Sequence, residues 1–223
     1  MSDQTPTETI HPLVDVWLRP RRVFRELGDA PVGVVDYLLA AAQGVLGSLA
    51  LSQALSAGLT ESAEWIVAKA LLAGPVGGVL GIFLMAALYR KLSPLAGGRS
   101  SRNQVIHVLA YGTVPMAVSL GLWLLTALLA GNLAFVDTPP ADLEPFLALV
   151  LHAHWAANLL LFLWSVILQV MGFSEVEGIE TRRAFGILVL GQLILIVVSV
   201  LLFVAVGTIL VVAFGVNLPA APN

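Results

Sequence analysis

The sequence predicts an all-α, polytopic integral membrane protein, with five transmembrane helices preceded by a short amphipathic helix at the membrane interface. Three observations carry this expectation. Apolar residues make up 58% of the 223-residue chain and charged residues only 11%, with mean hydropathy +0.93, whereas a soluble domain carries about 25% charged residues. The apolar residues fall in runs long enough to cross a bilayer, because about 20 residues rising about 1.5 Å each span about 30 Å of hydrocarbon. Finally, ten of the eleven Lys and Arg residues sit in the N-terminal segment and in alternate connections between those runs.

Residues 1–35 read as a cytoplasmic segment. Their opening, "MSDQTPTETIHP", is polar and lacks the apolar core and small-residue cleavage site of a secretory signal, so the first span is expected to stay in the mature chain. The stretch "WLRPRRVFRELGDAPVG", residues 17–33, places Pro20 in a first helical turn and Gly28 at its end, with Val23, Phe24 and Leu27 opposite arginines. It predicts an interfacial helix anchored by Trp17, Arg21, Arg22, Phe24 and Arg25. Each arginine beside an anionic headgroup contributes about 1 kcal/mol, with the two rings immersed at the lipid boundary.

Residues 36–216 hold the spans, predicted at 37–57, 66–89, 105–131, 146–171 and 184–214, and 217–223 form a short external tail. Helices are required because backbone polar groups in lipid must be satisfied internally, and the runs lack the alternation of barrel strands. Asp36 is expected to cap the first span. Thr60 and Glu61 mark the start of the second, and Ser101 with Gln104 forms a capping-box pattern before the third. "LSPLAGGRSS", residues 92–101, reads as a flexible turn, and "VDTPPADLEP", residues 136–145, as the longest irregular connection.

Charge placement predicts orientation. Arg19, Arg21, Arg22 and Arg25 precede the first span, Arg90, Lys91, Arg99 and Arg102 separate the second and third, and Arg182 and Arg183 separate the fourth and fifth. The positive-inside rule puts these on the cytoplasmic side, so the N-terminus is inside and the C-terminus outside. Lys69 is the exception, expected to snorkel from the outer end of the second span.

Small residues write the packing. Gly44, Ser48, Ser52 and Ser56 recur every four positions on the first span, as do Ala70, Gly74 and Gly78 on the second, so both faces permit close backbone approach. Pro75 and Pro115 are expected to kink their spans. On the fourth span His154, Asn158, Ser165 and Gln169 fall within an arc of about 60°, taking about 100° per residue. Two readings stand. The face lines a water-filled or substrate path, with His154 titrating; or it is an interhelical hydrogen-bond ladder meeting Gln43, Tyr111 or Gln192, each bond contributing about 0.6 kcal/mol.

Other chemistry finds little support. His152 and His154 project about 200° apart on a helix, which disfavours a shared metal. "GPVGG" lies within an apolar run without the lysine and hydroxyl of a phosphate loop. Cysteine is absent, as are a nucleophile elbow and an HExxH pair. Net charge −3 argues against a nucleic-acid partner. No catalytic residue, metal or cofactor is assigned. In "GFSEVEGIETRRAF", residues 172–185, Ser174 and Glu177 fit a capping box. Local pairing of Glu175, Glu177 and Glu180 with Arg182 and Arg183 is the default expectation.

"RPRRVFREL" before the spans, "VIHVLAYGTVPMAVS" opening the third, and "LFLWSVILQVMGFSEVEGIETRRAF" joining the fourth and fifth resemble the Yip domain family, named for Ypt-interacting proteins. Tyr111, Pro115, Trp164, Ser165, Gly172 and Glu175 carry the resemblance. It implies a five-helix membrane domain with a cytoplasmic N-terminus. In eukaryotic relatives it also implies binding of Rab-type GTPases in vesicle traffic. That binding is not carried over to this chain, because the N-terminal region is too short for a substantial cytosolic domain, and the compact form resembles prokaryotic members, which implies a prokaryotic cytoplasmic membrane. The expected function is a non-enzymatic, membrane-organising or partner-binding scaffold. Its partners would be membrane lipids and a membrane protein or a second copy of the chain. The alternative is a small-solute or ion permease using the polar face of the fourth span.

Overall fold

The computed structural model describes residues 10–214. The tail at 217–223 and most of "MSDQTPTETIHP" lie outside the described residues. Two short helices, α1 (Pro12–Asp15) and α2 (Pro20–Leu27), precede α3 (Val34–Ala54) and α4 (Ala63–Leu92). The third span is divided into α5 (Arg102–Tyr111) and α6 (Val114–Ala130), and α7 (Pro145–Glu177) and α8 (Thr181–Phe214) complete the chain. Five segments are long and apolar enough to cross a membrane, and no strand occurs among the described residues.

The helices begin where side chains can satisfy their first amides. Asp36 accepts from Gly33 N–H at 2.8 Å. The Ser101–Gln104 capping box forms reciprocally, at 2.8 Å and 3.2 Å. The second span is corrected by two residues: its cap is Ser62, which accepts from Trp65 N–H, while Thr60 donates instead to Ala57 O. Glu61 pairs with Lys69, so the lysine that stands apart from the arginine-rich segments carries its counter-charge with it.

The two prolines act differently. α4 continues unbroken through Pro75. Pro115 occupies the second position of α6, after a break at Gly112 and Thr113. A proline ring clashes with the carbonyl four residues earlier and lacks an N–H, so a helix that cannot bend ends before it. Thr113 Oγ1 donates to Ala110 O at 2.8 Å, giving a partner to a carbonyl at the break. The third span is thus two helices rather than one kinked one.

α3 and α4 pack backbone against backbone. A methyl group at Gly44 would overlap Gly74 O and Gly78 N, and one at Gly78 would overlap Ala40 O. The ladder therefore works where glycine meets glycine. Its Ser52 member is satisfied locally, donating to Ser48 O at 2.9 Å.

The interior divides into two cores. One, near the arginine-rich end, gathers Phe24, Tyr89, Val105, Val108, Leu168 and Phe173. The other, at the opposite end, gathers Leu46, Leu49, Ile66, Trp123 and Phe135, with the Trp123 and Phe135 rings stacked at 5.6 Å. That end is also stitched by Asn132, whose Oδ1 accepts from Ala63 N–H at 2.7 Å, and by Ser56, whose Oγ accepts from Asp137 N–H at 3.2 Å.

Candidate functional site

The polar face of α7 is split by its neighbours. His154 is 4% exposed. Its Nδ1 lies 2.9 Å from Thr126 Oγ1 on α6, and its ring meets Trp123 edge-on at 4.6 Å. The Asn158 amide donates to His154 O at 2.9 Å, and its carbonyl accepts from the Ser119 hydroxyl. Thr126 and Ser119 are therefore the ladder partners, correcting the expectation of Gln43, Tyr111 or Gln192. His152 points elsewhere: it is exposed, with Nδ1 2.6 Å from Ala148 O. No group of three metal-ligating side chains occurs among the described residues.

Nearer the arginine-rich end the same face opens onto a cavity of about 510 Å³. Ser165 and Gln169 line it from α7, Gln43 from α3, Gln192 from α8 and Thr113 from the break in the third span. Aliphatic and aromatic side chains complete the wall. The face is thus a bonded ladder at one end and a cavity wall at the other, not a continuous polar track.

The cytoplasmic segments predicted by charge meet at one end of the bundle and form a cap. α7 has 33 residues, against about 20 needed to cross hydrocarbon, length enough for its C-terminal turns to form a projection past the acyl region. α2 lies against that projection. Phe24 and Val23 are 1% and 0% exposed. Each fully buried side chain of this kind contributes about 1.5–3 kcal/mol. Gly172 makes the seat, for a methyl group there would come within 2.7 Å of the Phe24 ring and 2.8 Å of Val108. Phe24 is therefore a core residue, not a lipid-immersed anchor, while Trp17 is half-buried against the same core.

The arginines of α2 have protein partners. Arg25 Nη2 lies 2.7 Å from Glu175 Oε1, and Arg21 Nη1 lies 3.6 Å from Glu175 Oε2. Arg22 pairs with Glu26 one turn on, at 2.6 Å. Arg21 also donates to Thr181 Oγ1 at 3.1 Å. Glu175 is consequently engaged across the cap rather than with Arg182 or Arg183 in its own connection.

Glu177 holds the next connection. Buried at 5% exposure, it accepts from the hydroxyls of Ser93 and Ser100 and from Ser100 N–H, the last at 2.9 Å. "LSPLAGGRSS" is therefore clasped, not loose. Nor do Ser174 and Glu177 cap a helix: both belong to the last turns of α7, where Ser174 Oγ donates to Ile179 O at 2.7 Å.

A buried pair went unrecognised in the sequence. His107 Nδ1 lies 2.8 Å from Asp36 Oδ1, both side chains 4% exposed, and His107 Nε2 lies 3.1 Å from Ala30 O. It joins α3, α5 and the segment after α2. Each residue stands alone in an apolar run, and only the approach of two distant helices reveals the pair.

Of the positions carrying the family resemblance, Tyr111 and Pro115 bracket the break in the third span, Ser165 lines the cavity, and Gly172 and Glu175 receive α2. Trp164 is exposed on α7. A family model described as the Yip1 domain matches residues 14–204. No curated protein and no solved structure matches the chain significantly. The matched range begins within α1, takes in α2 with its seat on α7, and runs through four complete spans into the fifth, and the chain belongs to the Yip1 family.

Proposed function

We propose that this Yip1-family membrane protein is a non-enzymatic scaffold that holds a membrane-protein partner against a preformed cytoplasmic cap. The observation that carries the reading is the docking of α2: Phe24 fills the seat at Gly172 while Arg21 and Arg25 reach Glu175. This makes one surface from segments 150 residues apart in sequence. Around it Val14 and Leu18 are exposed, at 66% and 86%, as apolar points on a basic rim. That composition suits a partner or a second copy lying on an anionic membrane surface. The positive-inside rule puts the cap in the cytoplasm, in keeping with a prokaryotic cytoplasmic membrane as its location. Permeation is not adopted, because His154 and Asn158 spend their polar groups on α6 and each other.

A photocrosslinking amino acid at Leu18 tests the reading in intact membranes. A discrete protein adduct, lost when Phe24→Ala or Glu175→Gln releases α2 while membrane yield stays unchanged, is the expected result. Two differently tagged copies identify an adduct with the chain itself. Adducts with lipid alone, or a protein adduct indifferent to both substitutions, would overturn the scaffold.

A further inference from the structure

We infer that the cavity between α3, α4, α7 and α8 is a binding site for a neutral lipid whose head carries both hydrogen-bond donors and acceptors, of the diacylglycerol class. The volume, about 510 Å³, falls within the about 300–1,000 Å³ of small-molecule sites. Its wall contains an orphan: Ser165, 2% exposed, has a buried hydroxyl with no hydrogen-bond partner. An unpaired hydroxyl in an apolar interior is costly, and turning this side chain towards the cavity would let a ligand oxygen supply the missing partner.

The other polar groups define the ligand's chemistry. Gln43, Gln169 and Gln192 line the cavity and make no hydrogen bond among the described residues, and Gln43 and Gln192 are exposed. A carboxamide both donates and accepts, as does a serine hydroxyl, so the complementary head presents hydroxyl and carbonyl groups together. No Asp, Glu, Lys or Arg lines the wall. A phosphate there would be a desolvated, unpaired charge, which selects neutral lipids over the anionic phospholipids around them.

Access and fit point the same way. Phe162 and Phe185 on the wall are 53% and 51% exposed, so apolar side chains that border the cavity are also available to acyl chains. On the inner wall Gly77 and Gly81 offer open space, with nothing within 4 Å of where a side chain would begin. These glycines differ from Gly44, Gly74 and Gly78, which helix contact requires. Leaving them without side chains preserves room that packing does not use.

The test uses the full chain in lipid nanodiscs with diacylglycerol carrying a diazirine on one acyl chain, beside phosphatidylglycerol carrying the same diazirine. Labelled peptides are mapped by mass spectrometry. The expected result is labelling of peptides containing residues 77–85, 162–169 and 185–192 by the diacylglycerol probe, at least fivefold above the anionic probe. Excess unlabelled diacylglycerol should compete it away. Gly81→Leu, which fills the cavity, should remove this labelling while leaving that of residues 196–202 on the lipid-facing stretch of α8 intact. If Gly81→Leu lowers the thermal unfolding midpoint, Ser165→Ala and Gln192→Leu replace it, each expected to weaken competition severalfold. Equal labelling by the two probes, no competition in the unaltered protein, or indifference to all three substitutions would each overturn the site.

Discussion

At the scale of single residues, the decisive groups are those that hold segments far apart in sequence. Glu177 is one, since a single carboxylate receives two hydroxyls and an amide from the connection between α4 and α5. Glu177→Ala strands these donors in a buried place, at a cost of about 1–3 kcal/mol for an unsatisfied group. The expected outcome is a clear fall in thermal midpoint and faster proteolysis at residues 97–100, with Glu177→Gln intermediate. Unchanged proteolysis would show that the clasp is incidental. Gly98→Ala should behave alike, because its methyl group would overlap the Glu177 carboxylate. The residue types of this clasp were visible in the sequence. Its pairing was not, because one connection read as a flexible turn and the other as a locally paired capping box, and neither pattern names a partner across the end they share.

At the scale of elements, the α3–α4 pair shows how a small-residue pattern becomes a contact. Only the glycines facing backbone are required by it, as Gly44 shows against Gly74 and Gly78. Gly47, one turn along and exposed, meets nothing. Gly44→Leu should therefore separate the helices, and overpacking of about 1–3 kcal/mol should appear as lost folded yield in detergent. Gly47→Leu should match the unaltered protein, and similar losses from both would refute the distinction. α2 teaches the complementary lesson. Its amphipathic pattern was legible, but an apolar side at the end of a membrane bundle suits lipid or protein equally. Gly172 decides for Phe24 by leaving a seat of the right depth.

At the scale of the whole molecule, the bundle is held by two cores and carries ten of its eleven Lys and Arg residues at the capped end, Lys69 being the exception. The described residues contain no cysteine, and the full sequence contains none. Single cysteines at positions 99 and 137 should therefore report orientation without background. Position 137 is expected to react with a membrane-impermeant thiol reagent in intact cells, and position 99 only after lysis. The reverse pattern would invert the proposed topology. Number of spans, helical class and segregation of charge were determined by the sequence itself, because burying about 20 apolar residues per segment in hydrocarbon leaves a helix as the satisfied backbone form. The ladder partners Thr126 and Ser119, the Asp36–His107 pair, the Glu175 and Glu177 contacts and the cavity at Ser165 were decided only by tertiary structure. Periodicity states which face a side chain occupies. What that face meets depends on which helices lie beside it and at what depth, and in lipid several neighbours offer nearly equal apolar burial until close contacts and hydrogen bonds choose among them.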